Sequence, residues 1–491
     1  MAVMRFDVTP PERITQAMLE WTYAAGYDRV PVATEMARQG GQLHVETTAD
    51  ESAVIHVPWT LPGMSPVLFP TGTLRPREKP YRLPLELARG AVSQLRELET
   101  DWRKAGLAIP SVAVERAAAA QRLLRQAILY PEPPGEAASR AEETLLCAEE
   151  AGRLLAEAFA EWGRNERRRE PQQAVPFLGA DLGLTAPPTP VQRQIVEAFN
   201  AGNVSLCWAE IEPEEGRFSW EPADRQLAWS RENRLITTVG PLLRFDAAGM
   251  PAWVAQLEAD RLLVAARRFV EAALIRYRSS VDLWQVASGL AHSDALIPSP
   301  LPGPLKLQVA MQAAEIVSGL ATEAAVVITI DQPWGESLRR EPLGLSPVEL
   351  SDVLIRADLG LTGLWLNLHL GYAAHGSLPR PLPEVNRQID YYAAFGVPLY
   401  AGLVLPSAAG FDPLARLPAE AVEGWTPARQ QEYAGRLARL LLAKPQVQGI
   451  VWSQLRDSEP HDLPFGGLYD LRRHPKPVLR TLASTRRAFF R

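Results

Sequence analysis

The feature that most constrains this chain is a repeated switch of hydrophobic period across its last two thirds. From residue 176 onward, short continuous apolar runs alternate with amphipathic stretches. The runs read as eight strands, at Phe177–Leu184, Val204–Ala209, Leu235–Leu243, Leu283–Ser288, Ala325–Ile330, Gly363–Leu368, Leu399–Leu405 and Gln448–Leu455. Between them, Val191–Phe199, Trp253–Arg278, Leu305–Leu320, Val348–Leu359, Glu384–Phe395 and Ala428–Leu442 carry apolar residues at helical spacing. Strands that are apolar without alternation must be covered on both faces, as in parallel sheets. Eight strand–helix units in about 310 residues predict an α/β fold, a (β/α)8 TIM barrel. A doubly wound open sheet is the alternative, but no Gly-x-Gly-x-x-Gly follows a first strand.

Ahead of the barrel the period differs twice. Residues 1–83 contain alternating stretches such as Gln42–Thr47 and many prolines, which predicts a small β-rich, sandwich-like module. From Pro84 the spacing becomes helical, with Ala88, Ala91, Leu95, Leu98 and Trp102 on one face. Further helices are predicted over Ser111–Leu129, with Ser111 as the N-cap, and over Glu136–Trp162. The charged run from Arg164 to Pro171 reads as a linker. The domains expected are 1–83, a helical bundle with its charged linker at 84–170, and the barrel at 171–491.

Composition removes several classes of partner. A net charge of −6 over 491 residues leaves no electrostatic footprint for nucleic acid or for an anionic membrane surface. No run approaches the ~18 apolar residues of a transmembrane helix. Only Cys147 and Cys207 are present, too few for a disulfide framework or a cysteine zinc site. With no apolar segment after a basic start at the N-terminus, a cytoplasmic setting is expected.

In a (β/α)8 barrel the working residues sit at the C-terminal strand ends. In strand order these are Asp181; Trp208, Glu210 and Glu212; Arg244 and Asp246; Ser288, Gly289 and His292; Asp331, Gln332, Trp334 and Glu336; Asn367, His369 and Tyr372; Leu403, Leu405 and Pro406; and Trp452, Gln454, Arg456 and Asp457. Strand seven ends with no charge at all.

Three segments carry a resemblance. Val204 to Trp220, Val-Ser-Leu-Cys-Trp-Ala-Glu-Ile-Glu-Pro-Glu-Glu-Gly-Arg-Phe-Ser-Trp, resembles strand two and the following loop of glycoside hydrolase family 10, the β-1,4-xylanases. The family's usual wording there is Asn-x-x-Lys-Trp-Glu-x-x-x-Pro-x-x-Gly-x-Phe-x-Phe. Leu283 to Gly289 resembles its Trp-Asp-Val-Val-Asn-Glu motif on strand four. Val451–Ser458, with Phe465–Asp470 and Pro475–Val478 after it, resembles strand eight and the C-terminal segment. The likeness spans residues 176–485 and leaves the first 170 residues outside it.

The resemblance implies a retaining glycosidase scaffold, which needs two carboxyl groups about 5–5.5 Å apart, one protonating the leaving oxygen and one attacking the anomeric carbon. The departures fall on those two groups. The acid/base pair of strand four matches Ser288 and Gly289, and the nucleophile of the strand-seven Ile-Thr-Glu-x-Asp motif matches Leu403. The family's strand-two lysine matches Cys207 and its strand-three histidine Pro241, leaving Trp208, His369 and Trp452 as pocket residues. General acid–base help alone is worth about 10²–10⁴-fold, and glycine and leucine supply none of it. The ordinary xylanase double displacement is therefore not expected.

Three functions remain open. The first is a pseudoenzyme that binds oligo- or polysaccharide, with Trp208, Trp334 and Trp452 stacking on sugar faces and Gln332, Gln454, His369 and Asp457 hydrogen bonding. The second is a glycosidase or other carbohydrate-modifying enzyme with relocated acids, drawn from Asp331, Glu336 and Asp457, with Glu210 as an alternative partner and His369 as a further catalytic candidate. The third is a structural scaffold with a protein partner. Plainer roles compete throughout: Glu336 as a loop acid paired with Arg339 or Arg340, Asp331 as a loop cap, and the tryptophans as core. No cofactor motif is present, and a metal held by Asp331, His369 and Asp457 has no ligand spacing behind it, so neither is expected.

Overall fold

The computed structural model describes residues 2–48, 51–169, 175–183, 187, 189–246, 248–290, 301–340, 345–373, 375–417 and 419–490. Eight parallel strands close into a barrel: Phe177–Asp181, Ala201–Val204, Ile236–Val239, Leu283–Gln285, Ala325–Ile330, Gly363–His369, Leu399–Val404 and Val447–Trp452. Each pairs with its sequence neighbours, and the last pairs with the first through Val451 opposite Gly179. This is the α/β barrel that the alternating pattern predicts. The strands are buried along nearly their whole length, because helices cover the outside and side chains fill the inside.

Strand two differs from its expected position. It ends at Val204, and Trp208–Ile211 is a helical turn beyond it. Gly202 and Asn203 interrupt the apolar run at the true strand, and the more continuous apolar residues lie after it.

Side chains alternate across each strand, so the barrel interior is read off every second residue. One set, Phe177, Ala201, Leu283, Val327, Trp365, Tyr400 and Val451, forms an apolar cluster inside the barrel. Phe177 and Trp365 each stack on Tyr400, with ring centroids 5.7 and 6.3 Å apart. The opposite set, including Leu178, Val239, Trp284, Ile328, Leu366, Leu403 and Trp452, packs into the large core beneath the helices.

Residues 2–82 form two four-stranded sheets. One comprises Ala2–Asp7, Thr34–Gln39, Gln42–Thr47 and Tyr81–Arg82; the other comprises Tyr23–Ala25, Pro31–Val32, Ala53–Trp59 and Val67–Leu74. Phe6, Val45, Ile55, Trp59 and Phe69 meet in a shared core that also takes in Leu87 and Leu145 from the helices. Those helices are Leu83–Lys104, Ser111–Leu129 and Pro134–Arg169. Pro110, not Ser111, occupies the N-cap of the second.

The charged run at Arg164 is not a linker through Arg169, because the third helix continues to that residue. Its arginines dock on the barrel: Arg167 donates to the carbonyls of Lys444 and Val447, and Arg168 donates to that of Ala488. Carbonyls at helix ends, and one at the start of the last barrel strand, supply acceptors that a free linker would lack. The alanine stripe of the same helix packs with Leu382, Leu440 and Ala443 of barrel helices. At Gly163 an added Cβ would lie 2.6 Å from the Ala443 carbonyl oxygen, so the close approach requires glycine. Gly163→Ala should force the two helices apart and lower stability by about 1–3 kcal/mol, as overpacking does. Urea unfolding checks this; an unchanged midpoint would mean the helices do not need this approach.

Candidate functional site

Two residues above the apolar cluster, the inward-facing positions become polar. Asp181, Asn203, Gln285, Thr329, Asn367 and Ser453 follow Gly179, Ala201, Leu283, Val327, Trp365 and Val451 by one two-residue step, and all six line a cavity of about 210 Å³ at the C-terminal mouth. On that measure one water needs roughly 10–15 Å³, so the space suits a ligand of many atoms.

The polar layer is internally bonded. Asn203 donates to Asp181 Oδ2 at 2.7 Å and to the Gly240 carbonyl at 3.2 Å. Its Oδ1 accepts from Thr238 at 2.9 Å and from Gln285 at 3.0 Å. Asp181 Oδ1 accepts the Gly183 N–H at 2.8 Å. Burial pushes the Asp181 carboxyl up to about 6, against the lowering effect of those two donors, with Asp462 and Glu210 adding to the rise.

On the far side, Asp331 Oδ1 accepts from Asn367 at 2.7 Å and Oδ2 accepts the Gly289 N–H at 2.6 Å. Trp365 donates its ring N–H to Asn367 at 3.1 Å and lines the cavity between the two layers.

The rim carries ion pairs. Arg244 bridges Asp246 and Asp462, each at 2.8 Å. Burial works against the Arg244 charge, and the two carboxylates more than offset it, holding the guanidinium well above its usual range. Glu210 pairs with Arg416 at 3.2 Å, and Glu459 pairs with Arg456. Among the described residues, six carboxyl groups and three guanidinium groups line the space, an excess of negative charge that disfavours anionic ligands.

Several residues singled out in the sequence do meet here: Asp331, Gln332, His369 and Gln454 all line the cavity. Gln332 donates to the Gly376 carbonyl at 3.1 Å and Gln454 to Asp457 at 3.2 Å. The three expected stacking tryptophans do not line it. Trp208 is fully buried, stacked on Phe269 at 5.4 Å and bonded to Glu212. Trp334 lies in the core under the Arg380 guanidinium, 4.5 Å from its ring centroid. Trp452 faces outward, its ring N–H donated to the Gly466 carbonyl at 2.9 Å. Two-residue parity turns Trp452 away and turns Trp365 inward; following parity along strand six would have found it.

Two candidate acids are likewise occupied outside the cavity. Asp457 is buried against Lys476, with 2.5 Å between charges, and accepts the Gly467 N–H. Glu336 pairs with Arg380 at 2.6 Å, and Arg380 also donates to the Tyr23 hydroxyl of the N-terminal sheets at 3.0 Å. The loop acid thus has a buried partner other than Arg339 or Arg340, and that pair joins the N-terminal module to the barrel.

Leu403 points into the helix-facing core, and the strand-seven residue that lines the cavity is Val404. Gly289 places its N–H on Asp331, and Ser288 beside it lines the cavity. His292 lies outside the described residues. Among the described residues no group of three or more His, Cys, Asp or Glu could hold a metal ion. Among them too, no helix is long and apolar enough to cross a membrane.

No protein-family profile matches the chain, and no curated protein matches it. Solved structures do. A GH10 endoxylanase retrieved from sugarcane soil metagenome superposes with a TM-score of 0.50 at 14% identity, covering 64% of this chain and 96% of its own. Xylanase 10B from Thermotoga maritima gives 0.48 at 16% identity, covering 65% and 97%. Xylanase 10B from Thermotoga petrophila RKU-1, solved with xylobiose, gives 0.48 at 16%, covering 66% and 96%. At these identities the likeness is one of fold.

Two outcomes follow from the charges. Glu336→Gln leaves a buried guanidinium without its counter-charge and should lower stability by about 3–5 kcal/mol, most of it recovered in a Glu336→Met/Arg380→Met double variant. Urea denaturation of the three proteins decides this. The second concerns Asp181, whose folded value of about 6 exceeds the ~3.9 of a free aspartate. The folded state therefore keeps a proton that the unfolded chain releases, and this stabilisation is complete below pH ~4 and lost as pH rises through ~6. Asp181→Asn should gain thermal midpoint relative to the parent between pH 4 and 7; a difference that stays constant with pH contradicts the assignment.

Proposed function

We propose that the barrel mouth is a carbohydrate-binding site on a scaffold like that of glycoside hydrolase family 10, and that the ordinary retaining xylanase reaction does not run in it. The observation that carries this reading is the polar layer set directly on an apolar floor. Asp181, Asn203, Gln285 and Asn367, with Asp331 just beyond the layer, offer fixed donors and acceptors around the cavity, with the Trp365 ring beside them. A sugar ring has hydroxyl groups around its edge and apolar C–H faces, so it matches such a wall and such a ring. The sequence likeness at residues 204–220 and 451–458 supports the same ligand class.

Strands four and seven lack the two carboxyl groups that the double displacement needs. Gly289 has φ +81°, a conformation L side chains rarely adopt, and a Cβ there would stand 3.3 Å from the Phe245 nitrogen. Residues 399–405 include no Asp or Glu, and Leu403 lies in the core. Of the relocated-acid candidates, Asp331 lines the cavity while Glu336 and Asp457 serve buried ion pairs.

Calorimetric titration with xylo- and cello-oligosaccharides should give saturable binding, weakened on the order of tenfold by Asn367→Ala, a loss of about 1.4 kcal/mol. Heats indistinguishable from dilution across the whole panel would refute the site. Gly289→Glu combined with Leu403→Glu should release no reducing ends from xylan, since neither backbone position can aim a carboxylate into the cavity.

A further inference from the structure

We infer that the N-terminal β-rich module is a working part of the binding site: Tyr23 and Leu68 of its sheets are positioning residues that set the cavity wall built by the loop after strand six. This rests on the reading of the cavity as a carbohydrate site and goes beyond it by giving the N-terminal sheets a role in ligand recognition.

The wall is a short piece of backbone folded back on its own strand. Gly376 and Ser377 line the cavity. The Ser377 N–H donates to the His369 carbonyl at 2.8 Å, and the Gly371 N–H donates to the Ser377 carbonyl at 2.8 Å. A Cβ on Gly376 would stand 2.5 Å from the His369 carbonyl oxygen, so the fold-back leaves no room for a side chain there. The Gly376 carbonyl in turn accepts from Gln332, another lining residue. Loops of this kind ordinarily face solvent on their outer side and move there.

Here the next three residues, 378–380, are taken up by the N-terminal sheets. Leu378 is buried with Tyr23, Ala25 and Leu68. The Leu68 N–H donates to the Pro379 carbonyl at 2.8 Å, so the strand Val67–Leu74 holds the loop by its main chain. Arg380 donates to the Tyr23 hydroxyl oxygen at 3.0 Å and to Ser377 Oγ at 3.2 Å. One guanidinium thus ties a cavity-lining residue to the module. The Ser377 hydroxyl donates to Glu336, the carboxylate that pairs with the same arginine, so its rotamer follows the pair. Tyr23 is fixed from its own side by stacking on His56, with ring centroids 4.5 Å apart and planes 6° apart.

Among the described residues, none from the module lines the cavity itself. Tyr23 and Leu68 therefore act through the loop and not by touching the ligand. A wall already in place costs a ligand nothing to order, whereas a wall that samples other positions lowers the apparent affinity by the fraction of time it is displaced. Deleting the Tyr23 hydroxyl loosens Arg380 and leaves every lining side chain unchanged.

The test uses the full-length protein, calorimetric titration with xylo- and cello-oligosaccharides, and amide hydrogen exchange. Tyr23→Phe, which keeps the ring, should weaken binding about fivefold, and Leu378→Ala should weaken it at least as much. Exchange at the Gly371 and Ser377 amides should quicken in both. Phe6→Leu disturbs the core shared by the two sheets away from this loop; it should lower the thermal midpoint while keeping parental affinity and parental exchange at the two amides. Parental affinity in Tyr23→Phe and Leu378→Ala overturns the inference and leaves the carbohydrate site standing, as does an equal loss of affinity in Phe6→Leu. Absence of binding by the parent removes the carbohydrate site and the recognition role together. Exchange needs no ligand, so unchanged rates at both amides overturn the positioning role whether or not the parent binds sugar. Leu378→Ala decides if Tyr23→Phe does not fold.

Discussion

Everything at the mouth of this barrel depends on one switch of polarity inside it. Closing eight parallel strands leaves an interior only wide enough for side chains, and those side chains come in layers. In the lower layer Phe177, Leu283, Val327, Trp365 and Tyr400 are apolar and pack as a plug. Above it, Asp181, Asn203, Gln285 and Asn367 cannot be left buried and unbonded, so the first three bond to one another, Asn367 bonds to Asp331, and together they wall a cavity. The plug gives the site a dry floor, and the layer above gives it directional chemistry.

The same logic of compensated burial explains the rest of the molecule's charges. Arg244 stays charged because two carboxylates surround it. Arg380 is fully buried, and Glu336 and the Tyr23 hydroxyl compensate it, tying the N-terminal sheets to the barrel. On the other side Arg167 and Arg168 cap barrel carbonyls with the end of a 36-residue helix. The first 169 residues thus grip the barrel through desolvated polar contacts as well as through the alanine-lined helix face.

Legibility divides along the same physical lines. The barrel was readable because both-face burial writes continuous apolar runs, and helices write their own period between them. Asp331, Gln332, His369 and Gln454 were readable because strand ends in such a barrel converge. Trp208, Trp334 and Trp452 misled, since an aromatic near a strand end fits core and site equally well, and all three are core. Leu403 was placed one residue off the inward parity, which a strand seven that is apolar on both faces conceals. The basic run before Pro171 read as solvated because sequence does not show the carbonyls waiting for it.

The sequence by itself determined the class of fold, the order of the eight strands, and the lack of a carboxylate at the ends of strands four and seven. Those follow from local periodicity and residue identity, which need no partner to be known. Only the tertiary structure decided which acids share the cavity. Glu336, Asp457, Asp331 and Asp181 are alike as carboxyl groups, and what separates them is place: the first two are buried in ion pairs away from the cavity, and the last two line it. Hydrogen bonds of the folded chain join residues far apart in sequence, as from Tyr23 to Arg380 or from Gly289 to Asp331, and no local pattern records them.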